Sequence, residues 1–207
     1  MPENLHKLFV ISSPSGGGKT SLINKLFEDS RSANFEKSIS DTSRQKRQGD
    51  LEGKDYYFLS EKDFKDKINK EEYVEYAIVF GNFYGTSKEE IKTKYNNSNL
   101  ILELDWQGAY AVKELFDDAK LIFLVPPSLD DLKQRLIKRN LDSSKEIESR
   151  LSEAKKEISK SEMYDYLVLN DDFHKAFEDL SQILFEGISP IDFNSRASKD
   201  LIKRLVE

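Results

Sequence analysis

The chain has 207 residues, carries a net charge of -6 at neutral pH and has a sequence pI near 5.2. This length fits one globular domain, and the acidic balance argues against a nucleic-acid-binding protein, which would usually show a basic face. Cysteine is absent, which excludes disulfides, thiolate zinc sites and cysteine nucleophiles and fits the reducing cytoplasm. The N-terminal residues lack the layout of a signal peptide and no apolar run is long enough to span a membrane, so we expect a soluble protein.

Four apolar runs of strand length predict a buried sheet. They cover residues 7–12, 100–105, 120–125 and 166–170. A proline and three glycines stop the first run, and apolar residues then recur at helical spacing at Leu22, Ile23, Leu26 and Phe27. Helical patterns also follow the later runs, at residues 107–116, 128–138 and 172–185. This alternation predicts an α/β fold, with a parallel sheet and helices on both faces.

Two stretches interrupt the alternation. Residues 35–86 hold short, aromatic-rich strand candidates around one helix, at residues 60–69, which predicts a small mixed α/β insertion. Residues 139–161 are highly charged and helical in pattern, and the tail from Ser195 predicts a terminal amphipathic helix. The core would then comprise residues 1–34, 87–138 and 162–207.

A glycine-rich segment lies between the first predicted strand and its helix. Its glycines would let main-chain N–H groups turn toward phosphate oxygens, its lysine adds positive charge, and its threonine would place a hydroxyl on Mg²⁺. With the serine that follows, the segment comprises Ser13, Pro14, Ser15, Gly16, Gly17, Gly18, Lys19, Thr20 and Ser21. A strict phosphate loop has glycine in place of Ser13, and the alternative is a glycine-rich turn with an incidental lysine. The strand-loop-helix context favours an ATP phosphate site of the P-loop NTPase type.

A second polar segment, residues 38–58, combines hydroxyls, cations and glycines in a short span. Arg44 and Arg47 on a turn could form a fork around one phosphate monoester, with the Tyr56 hydroxyl as a further donor. The alternative is an ordinary polar loop. A phosphate loop alone does not distinguish a kinase from a GTPase or an ATPase motor, so the second segment has to distinguish these classes.

The motifs, taken in order over residues 7 to 186, resemble the guanylate kinase family. Besides the two segments above, the likeness is carried by Gly53-Lys54-Asp55-Tyr56-Tyr57-Phe58, Val74-Glu75-Tyr76-Ala77, Tyr84-Gly85-Thr86, Leu104-Asp105-Trp106-Gln107-Gly108, Arg135 with Arg139, Arg150, and Tyr164-Asp165-Tyr166 with Asn170. The chain departs from the family pattern at Ser13, Ser43 and Lys46, which are positions that mainly shape the backbone.

The resemblance implies two substrate sites. The residues implied for the GMP phosphate are Ser40, Arg44, Arg47, Tyr56 and Tyr84, and those for guanine are Glu75, Thr86 and Asp105. The residues implied for ATP, beside the phosphate loop, are Arg135 and Asn170 near the base and Arg139 and Arg150 on a lid. Catalysis would then rest on Lys19, Arg44, Arg139 and Arg150.

Each of these assignments has an ordinary alternative in the sequence alone. Glu75 could be a solvated glutamate at a sheet edge, Arg135 and Arg139 could be solvated charges on one helix face, and Asn170 could cap the next helix. Chemistry favours Glu75 as a reader of guanine, because a carboxylate accepts from both N1–H and the exocyclic amine, and adenine offers no such pair of donors.

The function implied is transfer of a phosphoryl group from ATP to GMP or dGMP in purine nucleotide metabolism, with Mg²⁺ held by Thr20, the ATP phosphates and water. One alternative is a non-catalytic guanylate-kinase-like module that binds proteins. Another is a related phosphotransferase, such as a kinase of ribose bisphosphate or of another nucleoside monophosphate. No nucleic-acid or membrane partner is expected, and the sequence is compatible with both a monomer and a homo-oligomer.

Overall fold

A parallel five-stranded sheet forms the centre of the computed structural model, which describes residues 6–47, 49–79, 81–139, 143–191 and 195–207. Numbered along the chain, its strands are β1 (Leu8–Ser12), β2 (Phe35–Lys37), β7 (Asn99–Glu103), β8 (Lys120–Val125) and β9 (Tyr166–Leu169). Their spatial order is β2-β7-β1-β8-β9. Because β7 and β8, which are consecutive strands of this sheet along the chain, flank β1 on opposite sides, the carboxyl ends of these strands border the crevice where such folds bind ligands.

Helices cover both faces of the central sheet. One face carries α1 (Lys19–Phe27) and α7 (Phe173–Ser181), and the other carries α3 (Lys88–Tyr95), α4 (Trp106–Leu115) and α6 (Ser144–Ser159). Successive residues of β1 alternate between two buried clusters, with Leu8 and Val10 in one and Phe9 and Ile11 in the other. A strand buried on both faces has to be apolar throughout, so the continuous apolar runs mark the core strands. The predicted α/β class is confirmed.

Helix α5 comprises Leu129–Arg139. The hydroxyl of Ser128, the residue just before it, accepts a hydrogen bond from Asp131 N at 2.9 Å. Side-chain capping of this kind satisfies a main-chain donor that the helix itself cannot. The α-helix predicted at residues 172–185 is shorter in the structure. Helix α7 ends at Ser181, and a π-helical turn, Gln182–Glu186, follows it.

A second sheet of four strands lies in the predicted insertion. Its strands are β3 (Asp41–Thr42), β4 (Tyr57–Phe58), β5 (Tyr73–Val79) and β6 (Asn82–Ser87), in the order β4-β3-β6-β5, with α2 (Glu61–Asn69) beside them. The ring of Phe64 on α2 is fully buried and stacks on Tyr73 with centroids 4.5 Å apart and on Phe83 at 5.3 Å. The aromatic residues that distinguish this stretch therefore form its own small core.

The predicted start of the insertion at residue 35 is corrected by the pairing of β2. Phe35–Lys37 pairs in parallel with β7 and is the edge strand of the central sheet. The Phe35 ring stacks on Phe9 at 6.0 Å and meets Phe185 edge-on at 5.4 Å, both of which belong to the core. A strand of three residues is too short to produce a recognisable apolar run, so sequence alone did not separate it from the insertion.

The charged stretch after α5 forms α6, and the tail forms α8 (Arg196–Val206). Ser143 and Glu146 make a capping box at the start of α6. Leu205 of α8 and Ile158 of α6 are buried in the same cluster. In the ranges that the structure describes, no helix combines the length and the apolar character needed to cross a membrane.

Candidate active site

The phosphate loop joins β1 to α1 at the carboxyl edge of the central sheet. Gly16 and Gly18 have φ angles of 88° and 92°, which side-chain-bearing residues rarely adopt, and Gly17 N donates to Pro14 O at 2.8 Å. Gly18 is the N-cap of α1, and the first turn of that helix contains no acidic residue. The N-terminal N–H groups and positive end of the helix dipole are thus available to an anion.

Asn170 braces the loop from the neighbouring strand end. Its side-chain amide donates to Gly17 O at 2.6 Å, and a Cβ placed on Gly18 would lie 2.4 Å from the same nitrogen. Asn170 is buried, and the N-cap of α7 is Asp172, so the capping alternative for Asn170 is wrong. The Ser13 hydroxyl donates to Pro14 O at 3.2 Å, so this departure from the strict motif is accommodated inside the loop.

Lys19 and Thr20 meet acidic residues at the end of β7. Lys19 Nζ donates to Leu104 O at 3.2 Å, and burial lowers the pKa of Lys19 against the raising effect of nearby carboxylates. Thr20 Oγ1 donates to Glu103 Oε1 at 2.5 Å, while Lys37 Nζ lies 2.7 Å from Glu103 Oε2. Burial acts to raise the pKa of Glu103, but Lys19 and Lys37 outweigh it and hold that pKa below its ordinary value.

Sequence analysis did not identify Glu103 as a site residue. It was read as part of an apolar strand, yet it is the last residue of β7, directly beside β1. The position of Glu103 could have identified it as a site residue. The carboxyl ends of neighbouring parallel strands converge on the ligand crevice, so an acidic residue at the end of the strand beside β1 lies near the phosphate loop.

The residues predicted for the second phosphate site lie on the insertion around Arg44. Its guanidinium forms an ion pair with Asp50 Oδ2 at 2.9 Å and lies over the rings of Tyr56 at 5.4 Å and Phe58 at 5.5 Å. Tyr56 packs edge-on against Tyr84 with centroids 5.7 Å apart. Asp50 thus occupies the position where an anionic group would meet Arg44.

The structure places Arg47 differently from Arg44. The side chain of Arg47 is exposed, whereas its main-chain N donates to Asp50 Oδ2 at 2.7 Å. This N–H and then the Arg44 guanidinium hold the pKa of Asp50 below its ordinary value. Of the two arginines in the predicted fork, Arg44 is paired with Asp50, whereas the side chain of Arg47 is exposed.

The phosphate loop and part of the insertion line one cavity of about 350 Å³. Lys19 and Thr20 of the phosphate loop line it on one side, and Ser40 and Tyr56 of the insertion line it on the other. Ser40 Oγ also lies 3.5 Å from Thr86 Oγ1. A phosphate held by the loop and a phosphate held by the insertion would share this space, which is the arrangement that direct phosphoryl transfer requires.

Glu75, Thr86 and Asp105 lie together next to that cavity. Glu75 pairs with Thr86 in the β5–β6 ladder, and both Glu75 and Asp105 line a neighbouring cavity of about 430 Å³. Burial raises the pKa of Glu75 to about 7, partly countered by hydrogen bonding from Thr86, and Asp105 raises it further. Asp105 also caps α4, because its Oδ1 accepts from Gly108 N at 2.9 Å.

A β-bulge sets the direction of Glu75. Regular alternation would place it on the same face as Tyr73, but the register shifts between these two residues, and Tyr73 pairs with Ser87 while Glu75 pairs with the adjacent Thr86. A bulge adds one residue to one strand and turns the next side chain to the other side, so Glu75 and Tyr73 lie on opposite faces. A Cβ on Gly108 would lie 3.1 Å from Glu75 Cγ, so glycine there lets the side chain approach α4.

The predicted ATP-side residues meet around the phosphate loop. Arg135 Nη2 donates to Asn170 O at 2.7 Å, and both residues border a cavity of about 410 Å³ with Ser21. Arg150 Nη1, on α6, donates to the hydroxyl of Ser15 at 2.7 Å. Arg139 is the last residue of α5, and its side chain lies outside what the structure describes.

A phosphate loop on a parallel sheet, with hydroxyl-bearing and basic residues of an inserted unit across one cavity, is the arrangement of a P-loop phosphotransferase. Comparison with known proteins narrows this class. The profile of the guanylate kinase family matches residues 5–187, and the chain belongs to that family.

Individual relatives agree with the family profile. The chain is 46% identical over 184 residues to a guanylate kinase of Wolbachia sp. subsp. Brugia malayi, covering 88% of this chain and 93% of the relative. It is 47% identical over 178 residues to a guanylate kinase of Hahella chejuensis, covering 86% and 85%. Among solved structures, the guanylate kinase of Anaplasma phagocytophilum is 32% identical with a TM-score of 0.70, covering 99% of this chain and 98% of that one.

Proposed function

We propose that the protein transfers the γ-phosphoryl group of ATP to GMP, giving ADP and GDP, as a guanylate kinase of purine nucleotide metabolism in the cytoplasm. Family membership supports the reaction. The observation that carries the proposal in the structure is the single cavity lined by Lys19 and Thr20 together with Ser40 and Tyr56. It gives the donor and acceptor phosphates one common space.

In the proposed reaction, ATP phosphates lie on the phosphate loop, where main-chain N–H groups, the start of α1 and Lys19 neutralise their charge. Lys19 Nζ would leave Leu104 O, which it contacts at 3.2 Å, and meet the transferring group. Arg150 reaches the loop already through Ser15, and Arg139 ends the neighbouring helix. Positive charge around the moving phosphoryl group is the main requirement of this chemistry.

The acceptor phosphate would exchange with Asp50 at Arg44, joined by Ser40, Arg47, Tyr56 and Tyr84. A phosphate monoester is already an anion at neutral pH, so it attacks the γ-phosphorus without a general base. Alignment and exclusion of water are then the protein's tasks. We infer that the four-stranded insertion, which carries Arg44 and Arg47, moves toward the loop when both substrates are bound, whereas α6 already contacts the loop through Arg150 and Ser15.

Magnesium would enter with ATP. Among the described residues there is no cluster of three or more acidic or histidine side chains able to hold a metal alone. Thr20 and Glu103 would suit an ion that keeps several waters and phosphate oxygens, because both present oxygen ligands beside the loop. When bound, Mg²⁺ would offset the negative charge of the ATP phosphates.

Guanine specificity would come from Glu75, Thr86 and Asp105. A buried acceptor rejects bases that lack matching donors, because the carboxylate then loses its partners, and such a site can discriminate by about 10⁴. We expect dGMP to be accepted as well, since none of the polar contacts proposed here involves the ribose 2′-hydroxyl.

The test is ADP formation from ATP with GMP, dGMP, AMP, UMP and ribose bisphosphate as separate acceptors. The proposal expects turnover with GMP and dGMP that exceeds the other acceptors by orders of magnitude. Turnover with AMP, UMP or ribose bisphosphate instead would identify a related phosphotransferase. Failure with every acceptor, with a folded protein that still binds GMP, would favour the non-catalytic protein-binding module.

A further inference from the structure

The C-terminal helix α8 lies beyond the region matched by the guanylate kinase profile, which ends at residue 187, yet it packs along α6. Leu205 is 3% exposed and belongs to the same buried cluster as Ile158 of α6. Leu201, Ile202 and Val206 pack partly buried against that cluster. The apolar side of the amphipathic helix is thus used within the fold.

Polar contacts join the same two helices. Lys155 Nζ on α6 donates to the main-chain oxygen of Glu207, immediately after α8, at 2.8 Å. Farther along, Ser159 at the end of α6 borders a cavity of about 560 Å³ together with Ile202 and Lys203 of α8. The contact between the helices therefore includes a buried apolar part and a directed hydrogen bond.

A different face of α6 meets the phosphate loop. Arg150 Nη1 donates to Ser15 Oγ at 2.7 Å, and Glu157, seven residues or two turns later, is among the carboxylates whose charge acts on Lys19. Lys155 lies about 140° around the helix from Arg150 at 100° per residue. Consequently α6 lies between the phosphate loop on one side and α8 on another.

We propose that α8 positions α6 for the donor half of the reaction, so that Arg150 is held at the phosphate loop before ATP arrives. Leu205 and Lys155 are the positioning residues. Holding a charged side chain in place beforehand reduces the ordering that binding and alignment would otherwise require. The acceptor side is carried by the four-stranded insertion, so loosening α8 affects ATP and not GMP. This inference rests on the proposed function.

The experiment compares Leu205→Ala and Lys155→Met with Arg204→Ala and Lys156→Met, which alter exposed neighbours on the same two helices. Steady-state kinetics with ATP and GMP, and binding of a fluorescent ATP analogue, are measured for each. We expect the two test variants to raise the KM for ATP about five- to tenfold and to lower kcat, because a charge-assisted contact loses its fixed position. The KM for GMP should stay within about twofold, as should all constants of both controls.

Hydrogen exchange separates positioning from general damage. In Leu205→Ala, amides of residues 144–159 should exchange faster while those of β1 and α1 keep wild-type rates. Leu205→Met should restore both the ATP constant and the exchange rates, because it refills the same buried volume.

The proposal is overturned if a folded Leu205→Ala enzyme keeps the wild-type KM for ATP, or if it loses ATP and GMP affinity equally. Unchanged ATP binding in a folded Lys155→Met variant would remove Lys155 from the positioning set. If the wild type phosphorylates no GMP, the proposed function fails, and analogue binding and hydrogen exchange still decide whether α8 positions α6.

Discussion

Binding of GMP should weaken as the pH falls through 7, because Glu75 must be ionised to accept from guanine. Burial raises the pKa of this carboxyl to about 7, well above its ordinary value of 4.5. A protonated carboxyl offers a donor where guanine N1–H and its amine already donate. Only the ionised fraction of the enzyme is then competent to bind GMP.

The size of the effect follows from the titration. With a pKa of about 7, roughly nine-tenths of Glu75 is ionised at pH 8 and roughly one-tenth at pH 6, so the KM for GMP should rise about tenfold, or about 1.4 kcal/mol. The GMP phosphate contributes separately, because a phosphate monoester with a second pKa near 6 is about half dianionic at pH 6. That contribution is about twofold and does not depend on Glu75.

The assay measures kcat and KM for GMP at saturating MgATP between pH 6 and 8.5 in wild type, Glu75→Gln and Glu157→Gln. Glu75→Gln should bind GMP weakly at every pH and retain only the twofold phosphate component. Burial raises the pKa of Glu157 to about 7 as well, so its glutamine variant must keep the tenfold dependence if Glu75 is the cause. Equal pH profiles in wild type and Glu75→Gln would refute the reasoning.

Four further outcomes are expected. Lys19→Met should lower kcat by about 10² or more with an unchanged unfolding transition, checked by coupled ADP assay and circular dichroism, and near-normal turnover would remove Lys19 from catalysis. Gly18→Ala should cost about 1–3 kcal/mol in urea unfolding, because φ is 92° and the new Cβ meets Asn170, and a neutral result would contradict that geometry. Asp50→Asn should lower the KM for GMP about two- to tenfold, because the amide oxygen still accepts from Arg47 N but no longer forms an ion pair with Arg44. A higher KM for GMP would show that Asp50 assists binding. Glu75→Gln should raise Tm at pH 8 and lose that advantage toward pH 5. The native pKa lies above the unfolded value, so the carboxyl costs stability as pH rises from 4.5 through 7, and a pH-independent difference in Tm would exclude this cause.

The core of the fold was accessible from sequence because its strands are buried on both faces. Such strands read as unbroken apolar runs, and the helices between them were placed within a few residues. The edge strand Phe35–Lys37 could not be predicted, because three residues with a charged residue in the middle are too few to show a periodic pattern. The face of the strand on which Glu75 lies could not be predicted either, because a bulge breaks the alternation on which such assignments depend.

Site residues differed in how far sequence could assign them. The phosphate loop is defined by local chemistry, so its residues could be named from the motif alone. Glu103 depends on neighbours from two distant segments, Lys19 with Thr20 and Lys37, and only the assembled sheet brings these together. The contact between Asn170 and the loop likewise joins residues 153 positions apart.

If the acceptor phosphate binds at Arg44 as proposed, the ion pair of Arg44 with Asp50 would make that pocket selective among anions. Asp50 is tethered a few residues from Arg44, so its local concentration at that guanidinium is millimolar or higher. A monovalent anion such as chloride brings no more charge than the carboxylate and lacks the tether, so it competes poorly. A phosphate monoester brings nearly two charges and three acceptor oxygens, so it would gain by the exchange. Salts abundant in the cell should therefore pass this pocket by, and the cycle should start only when a nucleotide phosphate displaces Asp50.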